Sequence, residues 1–285
     1  MANIPIIGSY IGGPLEARHS GGNWADVTLD DGNINTTIAS NGTQGTLEIR
    51  FKTQTGIADS VAYVGVGDII LIAGQSNGVG QGGNYQTYSH ATLKAAMYDQ
   101  ESDSWSELLD PTGVNYNAIS GGSVWPLLAT YIMADQGVPV AFIPLAVNGS
   151  KISAWQKGGT FYTRITAAVA AVGSIKAVLL YDGENDALVG TSEADFNSGL
   201  DSFVNDIMSD FGVKTLVATI HDTNYDETAV NNAIITAWSD NANALPGADN
   251  RGITTSPDTL HFTTDAELEG LAARWWAALQ AGVYN

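Results

Sequence analysis

The sequence predicts a large α/β domain built on a parallel sheet, preceded by a small all-β module. Three observations predict it. From Gly67 onward, near-continuous apolar runs alternate with helical stretches, the pattern of parallel strands covered by helices on both faces. Before Gly67, short alternating runs are separated by Gly-Gly, Asp-Asp-Gly and Asn-Gly clusters, the pattern of antiparallel strands joined by tight turns. Finally, 285 residues that are 44% hydrophobic and only 14% charged can bury a sizeable core, which excludes a disordered chain. The expected division is a β-sandwich module over 1–66 and a second domain over 67–285.

In the first module the expected strands are Ile4–Tyr10, Leu15–Arg18, Trp24–Leu29, Ile34–Ile38 and Thr46–Phe51. Leu47, Ile49 and Phe51 alternate with Glu48, Arg50 and Lys52, so one face is dry and the other wet. Asp30-Asp31-Gly32-Asn33 lacks the alternating ligands and distal glutamate of a calcium loop and reads as a hairpin turn. In the second domain the strands are Ile69–Ala73, Val138–Pro144, Ile175–Tyr181 and Thr215–Ile220. Helices are expected over Val124–Asp135, Phe161–Val172, Ala194–Asp210, Thr228–Ser239 and Ala266–Gln280. Thr264 and Glu267 form a capping box at the start of the last helix. Gln81–Gly122 reads as a loop-rich insertion over the sheet edge, with one strand near Leu93–Tyr98. Trp125 and the Trp275–Trp276 pair are expected in the core.

Eleven Lys and Arg against 30 Asp and Glu give a formal net charge of −19. Such a surface repels phosphate backbones and anionic lipid, so nucleic acid and membrane surfaces are excluded as partners. With no cysteine, disulfides, thiolate metal sites and cysteine nucleophiles are excluded too. No apolar run approaches the roughly 18 residues of a membrane span. The first residues lack the basic start and length of a signal peptide. The acid excess favours an extracellular or virion-associated setting over a cytoplasmic one. Asn35-Thr36-Thr37, Asn41-Gly42-Thr43 and Asn148-Gly149-Ser150 fit the glycosylation sequon, which matters only on a eukaryotic secretory route.

Ligands of open α/β sheets bind beyond the carboxyl ends of the strands. The residues there are Gly74-Gln75-Ser76-Asn77-Gly78, Asn148-Gly149-Ser150 and Asp182-Gly183-Glu184-Asn185-Asp186, with Asp258-Thr259-Leu260-His261 before the last helix. A serine hydroxyl needs a base, and a histidine supplies one once a carboxylate holds its tautomer. Asp258 and His261 lie on one short loop and can serve together. The Ser76 N–H, the Gly149 N–H and the Asn185 side-chain amide are three candidate donors to an oxyanion. Each piece alone has a plainer reading: the glycines as turn punctuation, Asn185 as a turn former, Asp258 as a loop opener, His261 as a surface histidine. Their order along one sheet points to ester cleavage. The fragment Gly74–Gly78 also fits the G-x-S-x-G elbow of α/β-hydrolases. There, several βα units precede the serine, and acid and base sit on separate loops, unlike here.

These four blocks resemble those of the SGNH (GDSL-type) hydrolases, and more narrowly the sialate O-acetylesterase and carbohydrate esterase branch, whose Gly-Gln-Ser-Asn stands at Gly74–Asn77. The segment Gly149–Trp155 resembles the branch's glycine-containing block, with Asn148 where a second glycine is common. Gly183–Asp186 resembles its Gly-Glu-x-Asp block, with Asp182 in place of the usual glutamine. The resemblance covers roughly 67–285. It implies a flavodoxin-like three-layer αβα fold, an immunoglobulin-like sandwich before it, and carbohydrate O-acetylesterase activity without metal or cofactor. It implies Ser76 as nucleophile, Asp258 and His261 completing the triad, and Ser76, Gly149 and Asn185 as the oxyanion hole. Gln75, Trp155, Glu184 and His221 are expected to line the substrate cleft, Trp155 as a sugar platform. The expected ligand is an acetylated glycan or small acetyl ester. A neutral glycan suits the acidic surface; sialylated or pectic substrates would need a less acidic cleft, to which Lys151 is the nearest base in sequence. A general short-chain esterase or lipase, or a glycan-binding or virion-surface module with little or no esterase activity, are the alternatives.

Overall fold

The computed structural model describes residues 3–56, 58–112, 121–255 and 257–285. Residues 113–120 of the expected insertion lie outside the described residues. The fold separates into two compact units: 1–67 with 92–94 and 137–139, and the remainder from Asp68 onward.

Among the described residues, the first unit holds two small antiparallel sheets. One is ordered β1 (Asn3–Ser9), β5 (Asn33–Ala39), β4 (Leu29–Asp30); the other β3 (Ala25–Asp26), β2 (Leu15–His19), β6 (Gln44–Phe51), β7 (Ala58–Gly65). Ile4, Leu15, Ala17, Val27, Ile34 and Ile38 form a shared core, with Leu47, Ile49 and Phe51 packed against it. The expected strand Trp24–Leu29 is in fact two strands in different sheets. The chain changes sheets at Val27, which is buried in the core between them, a common corner in sandwiches. The Asp30–Asn33 turn closes the β4–β5 hairpin. Strand β7 was not expected from the sequence. It is an edge strand whose residues are almost all exposed, so burial leaves little hydrophobic imprint on it.

The second unit carries a mostly parallel sheet, seven-stranded among the described residues. Its strands are β8 (Asp68–Gly74), β9 (Ala96–Asp99), β10 (Ser104–Glu107), β11 (Val140–Pro144), β12 (Ala177–Tyr181), β13 (Thr215–Val217) and β14 (Ala244–Pro246). The spatial order is β10-β9-β11-β8-β12-β13-β14, and only the β9–β10 hairpin at one edge is antiparallel. Helices α1 (Ser76–Val79), α2 (Trp125–Gln136), α3 (Thr160–Val172), α4 (Glu184–Val189), α5 (Glu193–Phe211), α6 (Thr228–Asp240) and α7 (Asp265–Gly282) complete the fold. Helix α2 packs on α7 and α5 on α6, covering the sheet on both faces. That double cover explains why Ile70, Leu71, Ile72 and Ala73 of β8 form an unbroken apolar run, all with no exposed surface. Trp125 packs against Phe142 and Trp275, as core tryptophans do. Helix α7 opens on the capping box: Thr264 Oγ1 accepts from the Glu267 N–H, and the Glu267 carboxylate accepts from the Thr264 N–H.

The central strand β8 is the first of the unit, and its neighbours β11 and β12 follow it in sequence on opposite sides. The chain therefore leaves β8 and its two neighbours in diverging directions, opening a crevice at their carboxyl ends. At that point β8 and β12 approach so closely that a Cβ on Gly74 would lie 2.0 Å from the Tyr181 carbonyl oxygen. Only glycine fits, and its φ of +113° is one that L side chains rarely adopt.

Candidate active site

Ser76 is the first residue of α1, immediately beyond β8. Being the first in a one-turn helix, its N–H has no intrahelical acceptor and points outward from the helix start. Its Oγ lies 3.1 Å from His261 Nε2, and His261 Nδ1 lies 2.7 Å from Asp258 Oδ2. The three side chains form one hydrogen-bonded line. In the tautomer that this line selects, Nδ1–H donates to the carboxylate and Nε2 is free to accept the serine proton. The second oxygen, Asp258 Oδ1, accepts the Leu260 and His261 N–H groups, each at 2.9 Å, which fixes the loop around the ring. Burial pushes the Asp258 carboxyl up, but these hydrogen bonds outweigh it and hold the group below its ordinary value. The carboxylate therefore stays ionised beside the imidazole.

The loop carrying this pair is strained. Thr259 has φ +57°, an unfavourable conformation for a β-branched residue, costing about 1–3 kcal/mol. Its hydroxyl bonds the Asp258 carbonyl and accepts from Asn224 Nδ2, contacts that hold the turn.

Gly149 adopts φ +68° in the turn after β11, with nothing near the position a Cβ would take, so conformation rather than space selects glycine. Asn185, half-exposed in the first turn of α4, donates one amide hydrogen from Nδ2 to the Gly149 carbonyl at 2.6 Å. Its second amide hydrogen is left for a ligand. Ser76, Gly149, Asn185 and His261 line a cleft of about 300 Å³, together with Gln81, Asn148, Leu188, Tyr225 and Leu260. No motif contains Tyr225 or Leu188, and Leu260 lies in the Asp258–His261 block without a role assigned to it. They arrive from α4 and from the loops before α6 and α7, so only the fold reveals them. Gln81 donates to Asn148 Oδ1 at 3.2 Å, which places the non-glycine residue at 148 in the cleft wall.

Two other sequence expectations, for Trp155 and His221, are corrected. Trp155 has no exposed surface: its indole N–H donates to Ser150 Oγ, and its ring packs on Phe161 and Phe203, so it is no sugar platform. His221 is equally buried, bonded to the Tyr181 hydroxyl and Thr255 Oγ1 and packed against Phe262, and so does not face the cleft. Gln75 and Glu184 border the cleft, but both are buried and spend their polar atoms within the protein. Gln75 Nε2 donates to Glu184 at 2.6 Å, and Asn77 Nδ2 donates to the other Glu184 oxygen at 2.7 Å. Asp182 lies beneath the cleft rather than in it. It accepts from Ser150 Oγ at 3.1 Å, and burial, with Asp186 and Glu184 nearby, pushes its carboxyl well above the usual range. Among the described residues no group of three or more His, Asp or Glu side chains is arranged to hold a metal ion.

Such an arrangement can deprotonate a serine hydroxyl beside donors able to stabilise an oxyanion. Comparisons with known proteins agree in class. The chain is 24% identical over 228 residues to an Arabidopsis thaliana protein described as a probable carbohydrate esterase, covering 70% of this chain and 86% of that one. The X-ray structure of that Arabidopsis protein has a TM-score of 0.62 at 22% identity, covering 76% of this chain and 99% of that one. A carbohydrate acetylesterase from Xanthomonas citri has a TM-score of 0.66 at 17% identity, covering all of this chain and 72% of the other. The family model for carbohydrate esterase, sialic acid-specific acetylesterase, matches residues 66–278. The chain therefore belongs to that family of carbohydrate acetylesterases and is a carboxylic ester hydrolase.

Proposed function

We propose that the protein removes O-acetyl groups from carbohydrate through an acyl-enzyme on Ser76. The observation that carries this reading is the line Ser76 Oγ, His261 Nε2, His261 Nδ1, Asp258 Oδ2, with contacts of 3.1 and 2.7 Å. His261 takes the Ser76 proton as Oγ attacks the acetyl carbonyl carbon. The resulting oxyanion accepts from the Ser76 N–H, the Gly149 N–H and the free hydrogen of Asn185 Nδ2. Collapse expels the sugar oxygen, which takes the proton from His261. Water then gives a proton to His261 and attacks the acyl carbon. The second tetrahedral intermediate releases acetate, and the proton returns to Ser76.

Purified protein is expected to hydrolyse 4-nitrophenyl acetate and to release acetate from acetylated xylo-oligosaccharides. Ser76→Ala should lower kcat by on the order of 10⁴-fold or more. An alanine variant with wild-type turnover would overturn the reading. A second reading, a short-chain carboxylesterase without sugar preference, draws on the apolar wall of Leu188 and Leu260. Butyryl esters turning over as fast as acetyl esters, with no gain from a glycan leaving group, would favour it.

A further inference from the structure

The side chains on either side of Ser76, those of Gln75 and Asn77, end on the same buried carboxylate. Gln75 Nε2 donates to Glu184 Oε2 at 2.6 Å and Asn77 Nδ2 to Glu184 Oε1 at 2.7 Å. Each partner then reaches a second loop. Gln75 Oε1 accepts from the Asn185 N–H at 3.2 Å, fixing the backbone of the residue whose amide faces the cleft. Asn77 Nδ2 donates to the Leu260 carbonyl at 3.1 Å, and its Oδ1 accepts the Phe262 N–H at 3.2 Å. That clamps the chain immediately before and after His261. Glu184 itself is 1% exposed, and both its oxygens are taken.

We infer that Glu184 is a positioning residue: through Gln75 and Asn77 it holds the Ser76 turn, the Asn185 turn and the His261 loop in one register. This inference rests on the reading of Ser76 as nucleophile. The 3.1 Å contact between Ser76 and His261 joins two loops far apart in sequence, and the Asn77 clamp on both sides of His261 is what sets their spacing. Loss of an ångström of registration at such a contact can cost on the order of 10²-fold in rate.

The charge state of Glu184 matters to this tie. Both of its partners are NH₂ donors, so only the carboxylate accepts from both; a protonated carboxyl sets its own O–H against one of them. Burial raises its pKa to about 7, with the Asn77 and Gln75 bonds opposing and Asp186 adding to the rise. Among the described residues, the groups that interact electrostatically with it include Tyr181, Asp182 and Asp186 of its own segment, and His261 lines the same cleft. The loop after β8 contributes the uncharged Gln75 and Asn77. The tie is therefore complete above about pH 7 and loosens as pH falls through that value.

Glu184→Gln, Asn77→Ala and the double variant test this on 4-nitrophenyl acetate across pH 5–9, with circular dichroism confirming the fold and Ser76→Ala as the control for the chemistry. Glu184→Gln is expected to lower kcat by about 10–100-fold with KM within about threefold. Its acid limb should be less steep than the wild-type limb, because the Glu184 ionisation near pH 7 is gone from it. The double variant should be no slower than the slower single variant, since both cut the same tie. A folded Glu184→Gln protein within twofold of wild-type kcat, or one with an unchanged acid limb, would overturn the inference. Multiplying effects in the double variant would overturn it too. If Glu184→Gln fails to fold, Asn77→Ala and the acid limb of the wild-type enzyme decide by the same criteria. Ser76→Ala abolishing turnover while Glu184→Gln leaves it intact sinks this inference alone; turnover surviving in Ser76→Ala sinks the Ser76 reading.

Discussion

His221 follows a strand yet is bonded into the interior rather than facing the cleft. Its Nδ1 lies 3.1 Å from the Tyr181 hydroxyl and its Nε2 3.3 Å from Thr255 Oγ1, so both nitrogens are served by groups that can donate or accept. The neutral ring suits that setting. Burial, reinforced by His261 nearby, pushes its pKa down to about 4 from an ordinary 6.5. The sign follows from which state binds the proton. As pH falls from about 6.5 to about 4, the unfolded chain takes up a proton and the folded one does not. Stability from this residue is full above pH 6.5, declines through that window and levels off below about 4. At roughly 1.4 kcal/mol per pKa unit, the loss amounts to about 3 kcal/mol. Urea unfolding at pH 7 and pH 4.5 checks it. His221→Gln, which keeps polar atoms but cannot titrate there, should lose about 2–3 kcal/mol less than wild type between the two pH values. Equal losses would show that His221 does not titrate in this way.

At the scale of elements, the site is assembled from two kinds of support. Ser76, Gly149 and Asn185 stand at the carboxyl ends of β8, β11 and β12, held by the parallel sheet. His261 instead depends on a loop anchored in front by the Asn77 clamp and behind by the α7 capping box. Removing that cap with Thr264→Ala should cost about 1 kcal/mol. For a unit of this size that lowers the melting temperature by roughly 2–4 °C in a thermal circular dichroism scan. No change in melting temperature would mean that the box is not made in solution. Much of this framework is legible in the sequence, because α2, α3, α5, α6 and α7 run 12 residues or more and β8, β11 and β12 are buried on both faces. Short elements are not. β14 spans three residues, too few for a hydrophobic period, and α4 begins with Glu184-Asn185-Asp186, which reads as turn chemistry. The site divides in the same way. Residue types at strand ends single out Ser76, Gly149 and Asn185, and the short loop before the last helix singles out Asp258 and His261. The roles of Asn77 and Glu184 rest on contacts between residues over a hundred positions apart, which no local pattern encodes. His221 looks like a cleft residue because it follows a strand, and Trp155 because an aromatic face suits a sugar ring; depth within the fold, invisible to spacing, places both in the core.

Across the whole molecule, the net charge of −19 is matched by no Lys or Arg among the described residues that line the cleft. Of the eleven basic residues, Arg18, Arg50, Lys52, Lys157, Lys176 and Arg251 are in ion pairs with Glu48, Glu16, Asp26, Asp210, Asp68 and Asp249. Lys151, the base nearest Gly149 in sequence, acts electrostatically on Asp186. The described residues lining the cleft include neither Lys nor Arg, and neither type occurs at positions 1–2, 57, 113–120 or 256. A carboxylate on the leaving sugar would thus enter a negative field with no cation to pair it, whereas a neutral sugar meets Tyr225, Leu188 and the amides of Asn148 and Gln81. The family is named for sialic acid, yet with this lining an anionic sugar is expected to be the poorer substrate. Fields of several kT alter encounter rates by about tenfold or more at low salt, and the Debye length shrinks from about 30 Å at 0.01 M to about 3 Å at 1 M. At 0.01 M salt, kcat/KM for an acetylated neutral hexoside should exceed that for an O-acetylated sialic acid by on the order of tenfold, with the ratio contracting severalfold at 1 M. Equal or faster turnover of the sialic acid ester at low salt would mean that a cation reaches the bound sugar after all.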